Sequence, residues 1–588
     1  MTRIDYIIIL MYFIGLLALG GTIGRKIKSS KDMFIAGRNS SWWLSGLSTY
    51  MTIFSASTFV VWGGVAFRSG VVAIVVGLML GIASILVGLF VAGKWSRLKI
   101  NSPAEYISIR FGKQATRFYT IVGIIGRGVH IAVALYAIAI MAVALIPLPA
   151  GHFLANPETG HLSVTYTVLL LGAITFVYTA LGGYLAVLMT DLVQFAVLIA
   201  MILIMIPLSF NSVGGVDTFI ANAPEGYFSL FSSEYSWVWM VLWLFLNVFM
   251  IGGDWPFVQR YISVPTEKDA KKSAWLVGVL YLVTPLVWYI PSLVYRTIHP
   301  DANPEQSYML MSRQALGPGM LGLMLAAMIS ATLSLVSGTL NVFANVFTFD
   351  IYKTFRPAAS EKRLMNVGRL FTYVYGTIVT LIAVLIPVLG GAERVVVSIL
   401  TLVISPLFIP SLWGLFSKRI GQKSVWISMG ITYAIALIIK FGFTTDGLLT
   451  HGESGNSIYT YIQQHVRFVD AFVGLITPVT LLALIELFLW KKEKDAGWNR
   501  VSHLFRKNKL LTEKEREMAR ISGSMYSSLA FKILFGTYAA IGVTMGLIAF
   551  GGGEWERQTF YFAVIFLGVS AAAFLINYWM KKRNSQKK

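Results

Sequence analysis

The sequence predicts an all-α integral membrane protein, and its composition is the first reason. Of its 588 residues, 56% are hydrophobic and 13% are charged, and the mean hydropathy is +0.70. The second reason is that apolar windows recur along the chain, each of about 20 residues and able to cross about 30 Å of hydrocarbon as a helix. Fifteen such spans are predicted, numbered here in chain order: 4–24, 42–66, 71–93, 118–147, 164–181, 184–208, 237–258, 274–296, 319–348, 370–389, 395–416, 424–441, 467–490, 526–550 and 558–580.

The third reason is the distribution of basic residues, which also predicts the topology. Loops that follow odd-numbered spans contain 38 of the 48 Lys and Arg residues, whereas 147–163 and 209–237 contain none. The positive-inside rule therefore places the N-terminus outside and the C-terminus in the cytoplasm, in a multi-pass protein of the cytoplasmic membrane. The net charge of +21 is a topology signal with some attraction to the lipid bilayer, and nucleic acid is not an expected partner.

Several chemistries lack the residues that they require. The chain has no cysteine, which excludes disulfides, thiol catalysis and cysteine-ligated metals. Walker loops, a GxGxxG segment after a strand and HExxH are absent from the sequence, so ATP-driven pumping and zinc hydrolysis have no recognisable motif. An integral membrane enzyme acting on lipid-linked substrates would need clustered acids or histidines, but the seven histidines are scattered singly. A sensor without transport activity is a further alternative, although no signalling domain is attached.

Two spans that lie five apart contain polar and small residues at their centres. Span 2 contains Ser55-Ala56-Ser57-Thr58 followed by two glycines, and span 7 contains Gly252-Gly253-Asp254-Trp255-Pro256. Secondary transporters are often built from two inverted repeats whose leading helices are interrupted near the midplane. We therefore predict two five-helix halves within this division of the chain: a peripheral helix and loop 1–40, first repeat 41–208, second repeat 209–420, two peripheral helices 421–490, a charged linker 491–525 and a two-helix extension 526–588.

Span 9 is rich in hydroxyl groups. At helical spacing Ser330, Ser334 and Ser337 fall on one face, so oxygen ligands for a hard cation could be found there if a second element supplied carbonyls. The alternative interpretation is close helix packing, which is the usual meaning of small residues and hydroxyls in membrane helices.

Charged residues inside the membrane indicate further functional positions. Arg127 lies ten residues after Arg117, which at 1.5 Å per residue is about 15 Å deep, and such charges generally face a cavity or a partner. The hypothesis is a substrate or gate role for Arg127, with a structural ion pair as the alternative. Asp191, in span 6, could complete a sodium site or latch a gate. Asp254 and Arg260 flank the end of span 7, where they could form a cytoplasmic gate or a local ion pair.

An ordered set of motifs resembles the sodium:solute symporter family over about residues 1–490. The motifs are Gly37-Arg38, Trp42-Trp43, Ser55-Ala56…Phe59, Gly182-Gly183-Tyr184…Ala186-Val187…Thr190-Asp191…Gln194, Gln259-Arg260-Tyr261 and Leu340-Asn341…Phe347…Asp350-Ile351-Tyr352-Lys353. The resemblance implies a LeuT-like fold, with a 5+5 inverted-repeat core and a sodium ion between spans 2 and 9. By position, the sodium ligands that it implies are the carbonyls of Met51, Phe54 and Ala331 and the hydroxyl of Ser334.

One position departs from the family pattern. Leu335 stands where the family usually has a second hydroxyl, and the loss of one of about five oxygen ligands weakens a sodium site. Three outcomes stay open: a weaker site completed by water, a shifted or second site using Ser337 with Asp191, or coupling to protons. Sodium is the favoured coupling ion, and the carboxylate matching Asp191 holds another sodium in some family members.

The resemblance also indicates where a substrate would bind. Positions of the sugar-binding residues in the glucose and galactose branch are mostly changed here, to Thr58, Gly77, Met250 and Tyr281, while Asn247 is retained. The sialic-acid branch has small hydroxyls on the first core helix, which Ser55 and Thr58 match, and an arginine on the third, which Arg127 approximates. The resulting substrate-site candidates are Ser55, Thr58, Arg127, Asn247 and Tyr281, and the gating candidates are Met250, Asp254 and Arg260.

Together these observations predict a symporter that uses sodium to import a small organic solute by alternating access. A carboxylated sugar of the sialic acid or uronate type, or another organic anion, is the first expectation for the substrate, because a guanidinium suits a carboxylate. A neutral sugar of the glucose or galactose type is the alternative, and no enzymatic activity is expected.

Overall fold

The structure is a computed structural model that describes residues 1–24, 40–146, 160–389, 392–439, 464–489, 495–508, 513–550 and 556–585, with the positions 38, 148, 151–156 and 462. These residues are helical apart from loops and one isolated bridge between Ala155 and Leu162. The membrane helices are Arg3–Gly24 (span 1), Trp42–Ile53, Thr58–Trp62 and Gly63–Ser69 (span 2), Val72–Phe90 (span 3), Lys113–Val143 (span 4), Val164–Val213 (spans 5 and 6), Trp237–Gly253 and Trp255–Ser263 (span 7), Glu267–Val283, Pro285–Trp288 and Ile290–Ile298 (span 8), Met320–Val346 (span 9), Glu361–Leu385 (span 10), Ala392–Ser398, Ile399–Ile404 and Ser405–Trp413 (span 11), Gln422–Leu437 (span 12), Val466–Phe488 (span 13), Glu513–Ala549 (span 14) and Glu556–Ser585 (span 15).

Every predicted span contains helix, and most are long enough to cross a bilayer. Within the described ranges, eleven helices qualify by length and apolarity, or thirteen segments if each of two bent pairs is one span. Helix Val164–Val213 has 50 residues, which at 1.5 Å per residue is about 75 Å and more than one span requires. Where its side chains are described, the helix is apolar over Val164–Phe176 and Val187–Val213. The total of fifteen spans and the orientation of the termini stay predictions.

The two interrupted spans are both bent at the predicted places. The halves of span 2 meet at 57° and those of span 7 at 52°. In span 2, Phe54 is extended and ends the first helix. In span 7, Asp254 is extended, and Pro256 follows in the first turn of the second half, where a residue without an amide hydrogen is tolerated only because a new helix begins.

Span 9 lies at the centre of the bundle. Every residue of helix Met320–Val346 is buried, which fits a helix that is surrounded by other helices on all sides. Its start is capped by span 1, because Asp5 Oδ1 accepts hydrogen bonds from the amides of Gly319 at 2.7 Å and Gly322 at 2.9 Å. A carboxylate at this position satisfies two amides of the first helical turn and is favoured by the helix dipole.

The linker between spans 13 and 14 is fastened to the bundle. Its helix Ala496–Lys507 is capped by Asp495, whose Oδ2 also accepts a hydrogen bond from Arg110 Nη1 at 2.6 Å. The buried Arg110 guanidinium additionally donates to the carbonyls of Gly414 and Ile420. These contacts do not test the predicted division of the chain into repeats and peripheral segments, which stays a prediction.

Candidate sodium and solute site

The break in span 2 lies against the hydroxyl-rich turn of span 9. The amide of Ala56 donates to Thr332 Oγ1 at 3.0 Å. The last amide that donates into the first half of span 2 is that of Phe54, to the carbonyl of Tyr50 at 3.0 Å. Carbonyls from Met51 onward therefore lie at a helix end, where intrahelical partners run out and a cation can be bound instead.

These placements agree with part of the expected ligand set. Met51, Phe54 and Ala331 are completely buried, and Ala331 precedes the threonine that contacts the break. The structure thus brings the two segments together, and coordination of sodium by the three carbonyls stays a prediction.

A buried carboxylate joins three spans beside this contact. Asp191 on span 6 accepts a hydrogen bond from Ser334 of span 9 at Oδ1, and one from Ser48 of span 2 at Oδ2, 2.5 Å away. All three side chains are buried. Hydroxyl and carboxylate oxygens are the donors that hard cations prefer. The described residues hold no cluster of three or more His, Cys, Asp or Glu side chains, so a monovalent cation fits this arrangement better than a transition metal.

Ser48 was missed by the sequence reasoning, although the sequence contains a signal for it. Span 2 carries hydroxyl residues at helical spacing, Ser41, Ser45, Ser48, Thr52 and Ser55. Such a series indicates a polar helix face, which includes Ser48 two turns before the break. Only the fold selects that hydroxyl from the series, because it alone donates to Asp191 in the described structure.

Ser337, which one of the three open outcomes places with Asp191, is bonded within its own helix in this structure. Its hydroxyl donates to the carbonyl of Ser334 at 3.2 Å, a bond within span 9. Asp191 is hydrogen-bonded by Ser334 and Ser48 in this state, and a shifted or second sodium site that uses Ser337 with Asp191 stays a prediction.

Arg127 is already paired. Its guanidinium forms an ion pair with Asp254, which lies in the break of span 7, and both side chains are buried. The ring of Phe257 lies 6.0 Å from the same guanidinium. In this state Arg127 forms the ion pair that was its alternative interpretation, and its partner is Asp254. The substrate role of Arg127 and the gating role of Asp254 stay predictions.

Arg260 instead joins spans 2, 7 and 9. Its Nη1 donates to the carbonyl of Pro256 at 2.7 Å, and its own carbonyl accepts a hydrogen bond from Ser45 at 3.1 Å. A Cβ built on Gly338 of span 9 would lie 2.9 Å from its Nη2, so the guanidinium lies directly against this glycine. These contacts bring the ends of spans 2, 7 and 9 together at Arg260, and its gating role stays a prediction.

The remaining solute-site candidates lie around the two breaks. Ser55 is hydrogen-bonded to Ser57, oxygen to oxygen 2.7 Å, and the amide of Ser55 donates to Thr58 Oγ1 at 3.4 Å. Asn247 Nδ2 donates to the carbonyl of Trp243 at 2.7 Å. Trp243 in turn packs on Trp62 with ring centroids 5.4 Å apart, so the two broken spans are in contact at this level.

Tyr281 and Met250 have different surroundings. Tyr281 is buried among rings, with centroids 5.1 Å from Tyr50 and 5.3 Å from Trp288. Met250 is half-buried, and its carbonyl accepts the amide of Asp254 at 2.9 Å, so it forms the last turn before the break of span 7. Tyr281 therefore belongs to an aromatic cluster behind span 2, and Met250 belongs to the hinge.

Comparisons with known proteins agree with this architecture. The chain is 27% identical over 467 residues to the sodium/sialic acid symporter NanT of Aliivibrio fischeri, covering 75% of this chain and 88% of that protein. It is 25% identical over 477 residues to the sodium/glucose cotransporter of Vibrio parahaemolyticus, covering 74% and 85%. It is also 26% identical over 493 residues to the human sodium/myo-inositol cotransporter 2, covering 74% and 70%.

A solved structure confirms the expected LeuT-like fold. The structure is the substrate-bound, outward-open state of a Na⁺-coupled sialic acid symporter, which was reported to reveal a novel Na⁺ site. It aligns with a TM-score of 0.65 at 22% identity and covers 82% of this chain and 98% of its own. The model of the sodium:solute symporter family matches residues 33–431. The chain therefore belongs to the sodium:solute symporter family and moves a small solute through a membrane together with sodium.

Proposed function

We propose that this protein imports a neutral, polyhydroxylated solute, a sugar or a polyol, using the sodium gradient across the cytoplasmic membrane. The observation that supports sodium coupling is the carboxylate of Asp191, which accepts hydrogen bonds from Ser48 of the broken span 2 and from Ser334 of span 9. The named relatives transport sialic acid, glucose and myo-inositol, which share a scaffold rich in hydroxyl groups.

The hydroxyl of Ser334 would have two roles in sodium binding: it donates a hydrogen bond to Asp191, and its oxygen would coordinate a sodium ion. The hydroxyl hydrogen of Ser334 points to Asp191, so its two lone pairs remain available as acceptors. One sodium would lie between the carbonyls of Met51, Phe54 and Ala331 and this oxygen, and a second would lie at Asp191 with Ser48. Leu335 supplies no oxygen, so the first site depends on Ser334 more strongly than in relatives with a second hydroxyl.

Coupling would follow from the location of these ligands on different spans. A cation held by spans 2, 6 and 9 binds only when their oxygens converge, so sodium stabilises the conformation in which they do. A solute bound at the breaks of spans 2 and 7 favours the same conformation. By linkage each raises the affinity of the other, and coupling of this kind typically amounts to about 1–3 kcal/mol.

The neutral solute is favoured by the state of Arg127. Since its charge is compensated by Asp254, the pair presents no net charge to a ligand. A carboxylated sugar would have to take Arg127 away from Asp254, and a buried charge that loses its partner costs roughly 3–5 kcal/mol. The carboxylated substrate stays the second candidate because the relative from Aliivibrio fischeri is a sialic acid symporter.

The test is uptake into proteoliposomes that contain the purified full chain. Radiolabelled glucose, galactose, myo-inositol, glucuronate and sialic acid are supplied with an inward sodium gradient, and matched vesicles receive potassium instead. We expect uptake of at least one neutral compound with sodium alone, and loss of that uptake in Asp191→Asn. Uptake confined to the two acids would overturn the neutral assignment, and equal uptake with potassium would overturn sodium coupling. The same proposal includes three further points. The protein has no enzymatic activity, it lies in the cytoplasmic membrane, and its N-terminus is outside.

A further inference from the structure

A groove lies between span 1 and span 14, and Asp191 is not among the residues that line it. It is a cavity of about 540 Å³ whose walls come from spans 1, 6, 9 and 14. The lining is mostly apolar, with Leu323 of span 9 at its floor and Met11 and Ile541 on opposite walls. Among the described lining residues Lys532 is the only charged one.

Small residues create this groove without closing it. Gly15 of span 1 and Gly536 of span 14 both line it and are exposed, and a Cβ built on either would meet no atom within 4 Å. Small residues in membrane helices normally permit close packing, as at Gly542, where a Cβ would lie 2.7 Å from Leu567 of span 15. In span 14, Gly542 therefore allows close packing against span 15, whereas Gly536 leaves open space that faces span 1.

The charge of the groove is located at one end, at Lys532. Lys532 lies six residues after position 526, the predicted start of span 14, which is a depth of about 9 Å at 1.5 Å per residue. Thr22, in the last turn of helix Arg3–Gly24, lines the same groove. Lys532 is exposed and has no ion pair within the part of the chain that the structure describes. A lysine at this depth extends its ammonium to the level of lipid phosphates.

We propose that the groove binds an acyl chain of an anionic phospholipid from the cytoplasmic leaflet, with the phosphate at Lys532. The apolar walls match a hydrocarbon chain, and the single uncompensated ammonium matches a negative headgroup. The predicted topology places this end of the groove beside the charged linker 491–525, which contains ten basic residues. The site is separate from the proposed sodium and solute sites, because none of the candidate residues of those sites lines the groove.

The headgroup is tested by native mass spectrometry of the full chain with phosphatidylglycerol and phosphatidylcholine that carry identical acyl chains. We expect preferential retention of phosphatidylglycerol. Lys532→Gln is expected to weaken its retention about fivefold, to the level of phosphatidylcholine, since a lysine near a membrane surface contributes about that factor. Lys113→Gln, which removes an exposed lysine at the predicted cytoplasmic end of span 4, is the control and should change nothing. Equal effects of the two substitutions, or equal loss of both lipids in Lys532→Gln, would overturn the proposal.

The acyl chain is tested by filling the groove. Gly536→Leu is expected to displace both lipids, and it should fold normally because the new side chain enters open space. Gly568→Leu is the matched control, since Gly568 of span 15 is exposed, has equally open surroundings and does not line the groove. Undiminished lipid retention in Gly536→Leu, with a melting temperature equal to that of the unchanged protein, would refute the proposal.

Discussion

Ser48 and Ser334, from two different spans, donate their hydroxyls to the two oxygens of one buried carboxylate, that of Asp191. Each serine lies 143 residues from Asp191 along the chain. A bond from span 2, which is broken, and one from span 9, which is central, meet at span 6. Any ion that replaces or reinforces these hydrogen bonds therefore acts on the relative position of three spans at once.

Asp191→Asn should raise the sodium concentration for half-maximal transport by tenfold or more, or abolish sodium-dependent uptake. The carboxylate is the only negative ligand of the proposed second site, and neutral oxygens alone hold a cation more weakly. Ser48→Ala should also raise the sodium concentration for half-maximal transport, but by a smaller factor. Thr49→Val is the control, since Thr49 donates only to the carbonyl of Ser45 within span 2. Unchanged sodium dependence in Asp191→Asn would remove Asp191 from the sodium pathway.

Leu335→Ser should lower the sodium concentration for half-maximal transport several-fold. The substitution places a hydroxyl next to Ser334, where the family pattern has one, and so restores a ligand. Leu335 is fully buried, so the same change should also destabilise the protein by roughly 2–5 kcal/mol through the cavity that it leaves. Leu335→Ala separates the two effects, because it creates the cavity without the hydroxyl. An equal change of sodium dependence in both variants would contradict the predicted site.

Arg127→Met and Asp254→Asn should each destabilise the protein by roughly 3–5 kcal/mol, because each leaves its partner as a buried charge without compensation. The double variant should be destabilised by clearly less than the sum of the two single effects. A double-mutant cycle of unfolding midpoints measures the difference. The comparison pair is Arg467 with Glu234, which is partly exposed and should contribute less than about 1 kcal/mol. Additive effects of Arg127→Met and Asp254→Asn would mean that the two charges are not coupled.

Asp5→Ala should destabilise the protein by roughly 0.5–2 kcal/mol, the usual cost of losing a helix cap. The reason is that the amides of Gly319 and Gly322 at the start of span 9 lose their acceptor. Asp5→Asn keeps an acceptor oxygen and should cost less. Thermal unfolding followed by intrinsic fluorescence measures both, and equal melting temperatures for all three proteins would show that span 9 does not depend on this cap.

The sequence alone predicted the membrane class, the helical segments, the two breaks and the family, and it singled out Asp191 and Ser334 as candidate ligands. These are properties of apolar length, of glycine and proline placement and of motif order, all of which act locally along the chain. The tertiary structure decided which side chains meet: Ser48 with Asp191, Arg127 with Asp254, and Ser337 with its own helix. Helical periodicity specifies the face on which a residue lies, but the neighbour opposite that face depends on how distant helices pack, and no local pattern encodes that packing.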